Sequence, residues 1–558
     1  LKTSALKAVP LLLLLFAPPV LGQSVTSWVD LYGYEGQHSF QKYGDGIAAA
    51  GDVDFDGVND FMIGARESTI FSTAVTPGSI TMYSGATGLE IYRIDGTSHN
   101  SAFGTVMLSI GDINSDGAAD FVAGDPMYSI GSYTFEGAFW IYSGIDGSVI
   151  SWSTGTPSSF FGSSVALLDD IDGDGIPEFA IGAPNEGGSG VVHIFSLGKG
   201  GMVKDYFSPD PNANFGVSLS SIGDLDSDGH VDLIVGANRY DGSAGNDIGA
   251  AYLLSSFTGN VIHRLEGWDS LNEFGKVVNS IGDLDGDGFE DVIIGAPHGR
   301  QGTSLAVGIV EVYSSLSHSL IYHLSGNNPN ESFGTSLANM GDQDGDNFDD
   351  FLIGAPYRNT NGTPGMALLY SGRNGQWLKK FGNGMHVGFG HHVANLGDLD
   401  GDGFGDVGVS TAESLNLFQG SASIYGSKKY LSSTRDTISA AAGGRVDFEM
   451  DFDLDHRRFH YRLLASANGT GPTTINGLEV PLGWDGLLNL TSTGSYPSFV
   501  SNGEGQLDGN GSGTCILHFP PSALNPFIGQ RIFFAAMAGN SLLAPTVSTE
   551  AVSLSIGP

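Results

Sequence analysis

One acidic stretch occurs seven times in this chain, and no other feature limits the fold as tightly. The copy "GDLDGDGFEDVIIGAP" runs from Gly282 to Pro297; the others begin at Gly51, Gly111, Asp169, Gly223, Gly341 and Gly397. Their first aspartates fall at 52, 112, 170, 224, 283, 342 and 398, so the period stays between 54 and 60 residues. A period of that length marks a supersecondary unit that buries its apolar face only against its neighbours. Each copy crowds like charges into nine residues and then enters an apolar run, Val292-Ile293-Ile294 in the fifth copy. Unpaired, those carboxylates repel one another and hold the turn open, so a positive partner is missing from the written sequence.

An aromatic–glycine pair stands a few residues before each copy: Tyr43-Gly44, Phe103-Gly104, Phe161-Gly162, Phe215-Gly216, Phe274-Gly275, Phe333-Gly334 and Phe389-Gly390. After each acidic loop and its apolar run comes another strand pattern, as in "GSITMYSG" and "GAFWIYSG", and in several copies a fourth, as in "LEIYRIDG". The unit is therefore four short strands, with the acidic loop joining the first to the second. Such units predict an all-β chain folded as a seven-bladed β-propeller. The 84 glycines agree, because many short strands need many tight turns. A stack left open would expose strand edges. The seventh unit has "SASIYG" in its third-strand slot and no obvious fourth strand, whereas "SWVDLYGYEG" (Ser27–Gly36) precedes the first unit and resembles "LEIYRIDG". Residues 27–36 are thus expected to pair with the strand near Ser421–Tyr425 and close the ring without a disulfide.

Within each copy the spacing is D-x-D-x-D-G-x-x-D. Positions one, three, five and nine carry side-chain oxygen, and position seven can offer its carbonyl. Glycine at position six permits the sharp bend that lets the side chains converge. A hard cation with six to eight oxygen ligands at about 2.3–2.6 Å fits this donor set, which points to Ca²⁺, with Mg²⁺ the weaker alternative because it retains several waters. Cysteine and histidine are absent from the ligand positions, which argues against zinc and copper. The expected ligands are Asp52, Asp54, Asp56 and Asp60; Asp112, Asn114, Asp116 and Asp120; Asp170, Asp172, Asp174 and Glu178; Asp224, Asp226, Asp228 and Asp232; Asp283, Asp285, Asp287 and Asp291; Asp342, Asp344, Asp346 and Asp350; and Asp398, Asp400, Asp402 and Asp406. Asn114 removes one charge from the second loop, Glu178 keeps a carboxylate in the third, and Asn347 replaces the sixth loop's glycine with the residue next best able to take positive φ. Six loops carry four carboxylates and one carries three, so 27 of the 61 acidic residues are ligands, and up to seven Ca²⁺ would move the net charge from −38 to −24. All seven loops occupy equivalent blade positions, so the cation is read as a structural staple rather than a catalytic group.

The aromatic–glycine pair, the acidic loop and the "IGAP" tail resemble FG-GAP repeats, the units of the integrin α-subunit head and of many secreted bacterial proteins. The resemblance covers about residues 25 to 426. It implies a seven-bladed propeller with calcium on hairpin loops at one face and partners bound mainly at the opposite face. Integrin heads carry the loop in only some blades, whereas here all seven have it, so an exported bacterial FG-GAP protein is the closer likeness.

The remaining sequence sets the context. A net charge of −38 disfavours nucleic acid as a partner. Lys2 and Lys7, the apolar run Val9–Phe16 and the small residues up to Gly22 read as a secretory signal peptide over 1–22, with the propeller over 23–426. No later segment reaches about 18 apolar residues, so no transmembrane segment is expected in the mature chain. Cys515 is the only cysteine, so an exported fold must rely on packing or on bound metal. After Gly426 the repeats stop, and "GRVDFEMDFDLD" alternates Val446, Phe448, Met450, Phe452 and Leu454 with acidic residues. With "FHYRLLAS", "GLLNLTS", "GTCILHF", "RIFFAAMA" and "AVSLSIG", this predicts a C-terminal β-sandwich over 427–558.

No G-x-S-x-G or H-E-x-x-H motif is present. His386, His391 and His392 lie close in sequence, but as a packed or surface group rather than a metal site. The loops Asn238–Gly249 and Pro297–Gly308 are the best candidates for a binding surface. The leading expectation is an exported calcium-binding propeller that binds an extracellular protein or glycan, secreted or at the cell surface. The alternative is a secreted carbohydrate-active enzyme, a polysaccharide lyase or hydrolase, on the same scaffold.

Overall fold

A computed structural model describes residues 26–36, 42–66, 77–98, 101–131, 134–300, 306–357, 364–382, 388–411 and 419–429, and beyond them strand segments between 431 and 557. The first 22 residues, His386 and the "GLLNLTS" segment lie outside the described residues. Up to Lys429 the strands form seven four-stranded antiparallel sheets. Blade one is Tyr43–Gly51, Asp60–Ala65, Ser79–Tyr83 and Glu90–Asp95; blade four is Leu219–Ile222, Asp232–Ala237, Ala250–Leu254 and Val261–Glu266; blade five is Val277–Ile281, Asp291–Ala296, Ile309–Tyr313 and Leu320–Ser325. The first strands of successive blades approach one another all the way round, including blade seven to blade one, so they line the centre of a closed ring.

Closure occurs as the sequence predicts. Thr26–Glu35 is the fourth strand of blade seven and pairs antiparallel with Ser421–Lys429, from Thr26 opposite Lys429 to Glu35 opposite Ser421. The first segment of the repeat region thus completes the last sheet and covers the edge that Ser421–Lys429 would otherwise expose. Blade seven's third strand runs three residues past Gly426, to Lys429.

The burial pattern explains why the second strands read as continuous apolar runs. Blades stack face to face, so both faces of a second strand are covered: Asp60–Ala65, Asp232–Ala237 and Asp291–Ala296 are buried at every residue. Fourth strands lie on the outside and alternate, as in Glu90–Asp95. The aromatic–glycine pairs lock one blade to the next. Phe103 is buried, and Gly104, at φ +89°, lays its carbonyl oxygen against Gly64 of blade one, where an added Cβ would lie 1.7 Å from that oxygen. The same approach recurs between Gly182 and Gly216 and between Gly236 and Gly275, which is why glycine stands on both sides of the contact.

A second set of contacts joins the blades at the end carrying the turns between third and fourth strands. Tyr32 donates from blade seven to the Gly85 carbonyl of blade one (2.9 Å), Tyr92 to Gly144 (2.7 Å) and Tyr322 to Gly372 (2.8 Å). Tyr206 reaches the Ser256 carbonyl in the same way.

Beyond Lys429 the described strands form two main sheets. One contains Gly444–Asp451 and Ser512–Phe519; the other contains His460–Ser466, Arg531–Gly539 and Val552–Gly557. Phe448 meets Phe534 at 4.6 Å between ring centroids, and Tyr461 donates to the Thr514 carbonyl, so the sheets touch. Cys515 is buried among them, and burial pushes its thiol up to about 12.

Candidate metal centres

Each acidic loop is shaped by backbone N–H groups that its own carboxylates collect. In the fifth loop, Asp283 accepts from Asp287 N–H (3.2 Å) and Gly288 N–H (2.8 Å), and Asp287 accepts from Phe289 N–H (2.9 Å). The first loop repeats this with Asp52, Asp56 and Val58. Position six is left-handed throughout, from Gly117 at φ +98° to Asn347 at φ +68°, so asparagine does take the conformation its place requires. Position four is left-handed as well, including the non-glycine residues Phe55 (φ +62°), Ser115 (φ +63°) and Ser227 (φ +60°). Glycine at position four in the other copies was the available signal for this second bend.

The ninth position does more than ligate. Asp60 Oδ2 accepts from Val53 N–H (2.7 Å), and its Oδ1 accepts from Gly85 N–H (2.9 Å) in the turn between the third and fourth strands. Asp291 likewise joins Leu284 N–H (2.8 Å) to Ser315 N–H (3.3 Å). A buried carboxylate therefore ties the acidic loop to the neighbouring hairpin in the same blade. Serine hydroxyls of that turn also donate to the position-five carboxylates: Ser143 to Asp116 (2.8 Å), Ser255 to Asp228 (3.2 Å) and Ser314 to Asp287 (3.3 Å). These serines were not singled out in the sequence, although one follows most third strands.

Ligand atoms converge within 4.8 Å of one another for Asp170, Asp172, Asp174 and Glu178 in the third loop. Positions one, three and nine converge likewise in the first (Asp52, Asp54, Asp60), fourth (Asp224, Asp226, Asp232), fifth (Asp283, Asp285, Asp291) and sixth (Asp342, Asp344, Asp350) loops. In these four, the position-five aspartates stand outside the tight group. Asp172 Oδ1, Glu178 Oε1 and Asp344 Oδ1 are buried with no donor in hydrogen-bonding geometry. Burying such oxygens unsatisfied is costly, and an all-oxygen cluster with spare lone pairs suits a hard divalent cation.

The electrostatics agree. Burial pushes the carboxyls of Asp60 and Asp232 up to about 6 and that of Asp291 to about 7, and neighbouring loop carboxylates push the same way. Burial raises Asp120, Glu178 and Asp350 too. Without a cation Asp60, Asp232 and Asp291 hold protons close to neutrality; a cation would displace them.

Two loops differ. In the second, Asn114 Oδ1 accepts from Asp116 N–H (2.8 Å), which turns its Nδ2 toward Asp116 Oδ2 (2.7 Å) and Asp120 Oδ1 (3.4 Å). The amide donates where the other loops offer an oxygen. In the third, Lys199 Nζ lies 3.0 Å from Asp172 Oδ2, an ammonium at the edge of the cluster.

Other sequence candidates fall as follows. Tyr240, in the loop after blade four's second strand, is buried with Arg264 4.6 Å above its ring, so it supports the loop from beneath. Residues 301–305 of the other candidate loop lie outside the described residues. His391 approaches Asp45 at 3.8 Å, and Asp45 is paired with Arg66 at 2.9 Å.

A closed ring of seven four-stranded blades, each with an acidic loop between its first and second strands and several of those loops with converging carboxylates, defines a class of repeat protein. The FG-GAP repeat family matches residues 161–195, 215–254 and 278–307, so the chain carries FG-GAP repeats there. It is similar to integrin alpha-V of Gallus gallus (30% identical over 212 residues, 35% of this chain and 20% of that protein). Similarity to integrin alpha-5 of Xenopus laevis is 32% over 209 residues, 34% of this chain and 19% of that protein. Integrin alpha-4 of Xenopus laevis is 37% identical over 141 residues, 23% of this chain and 13% of that protein. The chain thus spans a fifth or less of the length of these relatives. Among the described residues no helix is long and apolar enough to cross a membrane.

Proposed function

We propose that this chain is an exported, calcium-stapled propeller that binds a protein or glycan outside the cell or at its surface. The observation that carries the reading is the convergence of buried, partly unsatisfied carboxylate oxygens in repeated loops of one closed ring whose relatives are named integrins. Ca²⁺ occupies up to seven loops, and the basic and apolar leader over 1–22 directs export. The cation neutralises a loop and leaves the loop tied to its hairpin through the position-nine carboxylate. The opposite end of the ring, with the loops between second and third strands, is then free to vary and to bind. Residues 23–426 form the binding module. Residues 427–558 form an appended β-sandwich, a reading supported by the contact between Phe448 and Phe534.

The test is an array of extracellular proteins and glycans probed in millimolar calcium and again in EGTA. Calcium-dependent binding to one class, lost in EGTA, is expected. Equal binding in both conditions, or binding to neither class, overturns the proposal.

A further inference from the structure

Five of the six turns between a third and a fourth strand place glycine at one left-handed position: Gly88, Gly147, Gly200, Gly259 and Gly375, at φ between +66° and +77°. At four of these the glycine is required twice over, because an aromatic ring from the preceding blade lies against it. A Cβ on Gly88 would meet the Tyr32 ring at 2.4 Å, one on Gly147 the Tyr92 ring at 2.9 Å, one on Gly259 the Tyr206 ring at 2.4 Å, and one on Gly375 the Tyr322 ring at 2.8 Å. These tyrosines are the ones whose hydroxyls cross to the next blade, so ring-on-glycine and hydroxyl-to-carbonyl form one lock. Around Gly200 the space is open, and Ser151 stands where Tyr92 does in blade one.

The junction of blades four and five departs on both sides at once. His263 takes the tyrosine position, opposite Leu253, and His318 takes the glycine position, at φ +59°. Their imidazoles stack with centroids 3.6 Å apart and planes 6° from parallel. A bulky residue in a left-handed turn is strained unless its surroundings hold it there, so the stack stands where four other junctions have the lock. Both rings are half-buried, and burial holds each imidazole below its ordinary value; His263 lowers His318 further.

We propose that the junction of blades four and five is an acid-sensitive seam: mild acid charges the stacked His263–His318 pair and loosens this junction while the tyrosine-locked junctions stay closed. The sign follows from the direction of the shifts. A histidine held below its unfolded value stabilises the fold above that value and loses the contribution as pH falls through it. Two cations at stacking distance repel, and no tyrosine lock is present to compensate. The groups around the pair leave this balance alone. Leu253, across the sheet from His263, is apolar, and Arg264 pairs with Glu266 and Asp210. In the turn itself, Ser314 accepts from His318 N–H through its carbonyl, while its hydroxyl donates to Asp287. Neither imidazole forms an ion pair with a loop carboxylate among the described residues. The tyrosines titrate only far above neutrality, since burial raises Tyr92 and Tyr322.

The test is hydrogen exchange on the full chain in saturating calcium, at about pH 7.5 and about pH 5.5, on either side of the ordinary imidazole value. Rates are corrected for intrinsic exchange. Protection of Val261–Glu266 and of the turn at 314–319 should fall several-fold in acid, while the turns at 84–89 and 371–376 stay protected. The double variant His263→Tyr/His318→Gly installs the lock used elsewhere and should abolish the local loss. If that variant does not fold, His263→Gln, which cannot take the proton, gives the same separation. Unchanged protection in the wild type overturns the proposal. So does an equal fall in the wild type and the variants, which would assign the acid response to the metal loops.

Discussion

Calcium binding should release protons, and the amount can be worked from three buried carboxyls. The perturbation is calcium added to metal-free protein at different pH values. Burial holds Asp60 and Asp232 at about 6 and Asp291 at about 7 when no cation is present. At about pH 6 the first two are then about half protonated and the third about nine-tenths, so saturating these three loops should release about two protons. At about pH 8 the same groups are almost fully ionised and release about 0.1 proton together. Isothermal titration in two buffers of different ionisation enthalpy reads the number directly. The shift at Asp291, roughly three units on a residue with 0% exposure, also sets a ceiling of about 4 kcal/mol on the strain of keeping it ionised without metal. A carboxyl whose folded value is raised contributes stability that is fully present below the unfolded value near 4 and is lost as pH rises through about 6 to 7. As far as these groups decide it, metal-free protein gains stability on acidification over that window, and the melting shift caused by calcium shrinks. Titration heats that do not depend on buffer at about pH 6 would refute the reasoning, because the position-nine carboxylates would then be ionised already and would not need the cation.

Other expectations follow from particular contacts. Asn114→Asp should strengthen the second loop, since an oxygen replaces the amide nitrogen that faces Asp116 and Asp120; calcium titration followed by loop-resolved hydrogen exchange should show the loop filling at lower calcium. Gly104→Ala puts a Cβ 2.6 Å from the Ser79 carbonyl oxygen at φ +89°, and should destabilise the fold by about 2–4 kcal/mol in a denaturant melt. Removing residues 26–36 leaves Ser421–Lys429 without its outer partner and should lower the melting temperature sharply and promote aggregation, measured by light scattering during the melt. Asp285→Ala with Asp287→Ala should reduce the calcium-induced stabilisation by one site's share, about 2.7 kcal/mol at 100-fold saturation.

How much of this was legible in the sequence depends on how local each feature is. The acidic loop and positive φ at Asn347 could be read because they live within nine consecutive residues, and the blade count because that loop recurs seven times. Ring closure by Thr26–Glu35 was legible because that strand carries the pattern of the other fourth strands, and the ring needs such a strand. The cross-tie from Asp291 to Ser315 was not legible, since it joins residues 24 apart whose approach is fixed only once the blade exists. Position five of the loop was expected to ligate on spacing alone. In the fold, Asp174 joins its loop's converging group, whereas Asp287 accepts from Phe289 N–H and the Ser314 hydroxyl beside the group formed by Asp283, Asp285 and Asp291, a difference that spacing does not carry. The lock between Tyr92 and Gly147 was invisible for the same reason: it is made between blades, and tyrosine and glycine each have an ordinary reason to be in a strand or a turn.

The central claim is that the acidic loops are cation sites that hold the blades' hairpins together. The most direct measurement is a calcium count by elemental analysis after equilibrium dialysis, paired with a thermal melt of the same sample before and after EGTA. The account expects at least about four and at most seven calcium ions per chain at millimolar calcium, the range in which extracellular calcium modules fill. It also expects a melting temperature that falls by many degrees when they are removed. Fewer than about four ions at saturation, or a melt that EGTA leaves unchanged, would contradict it.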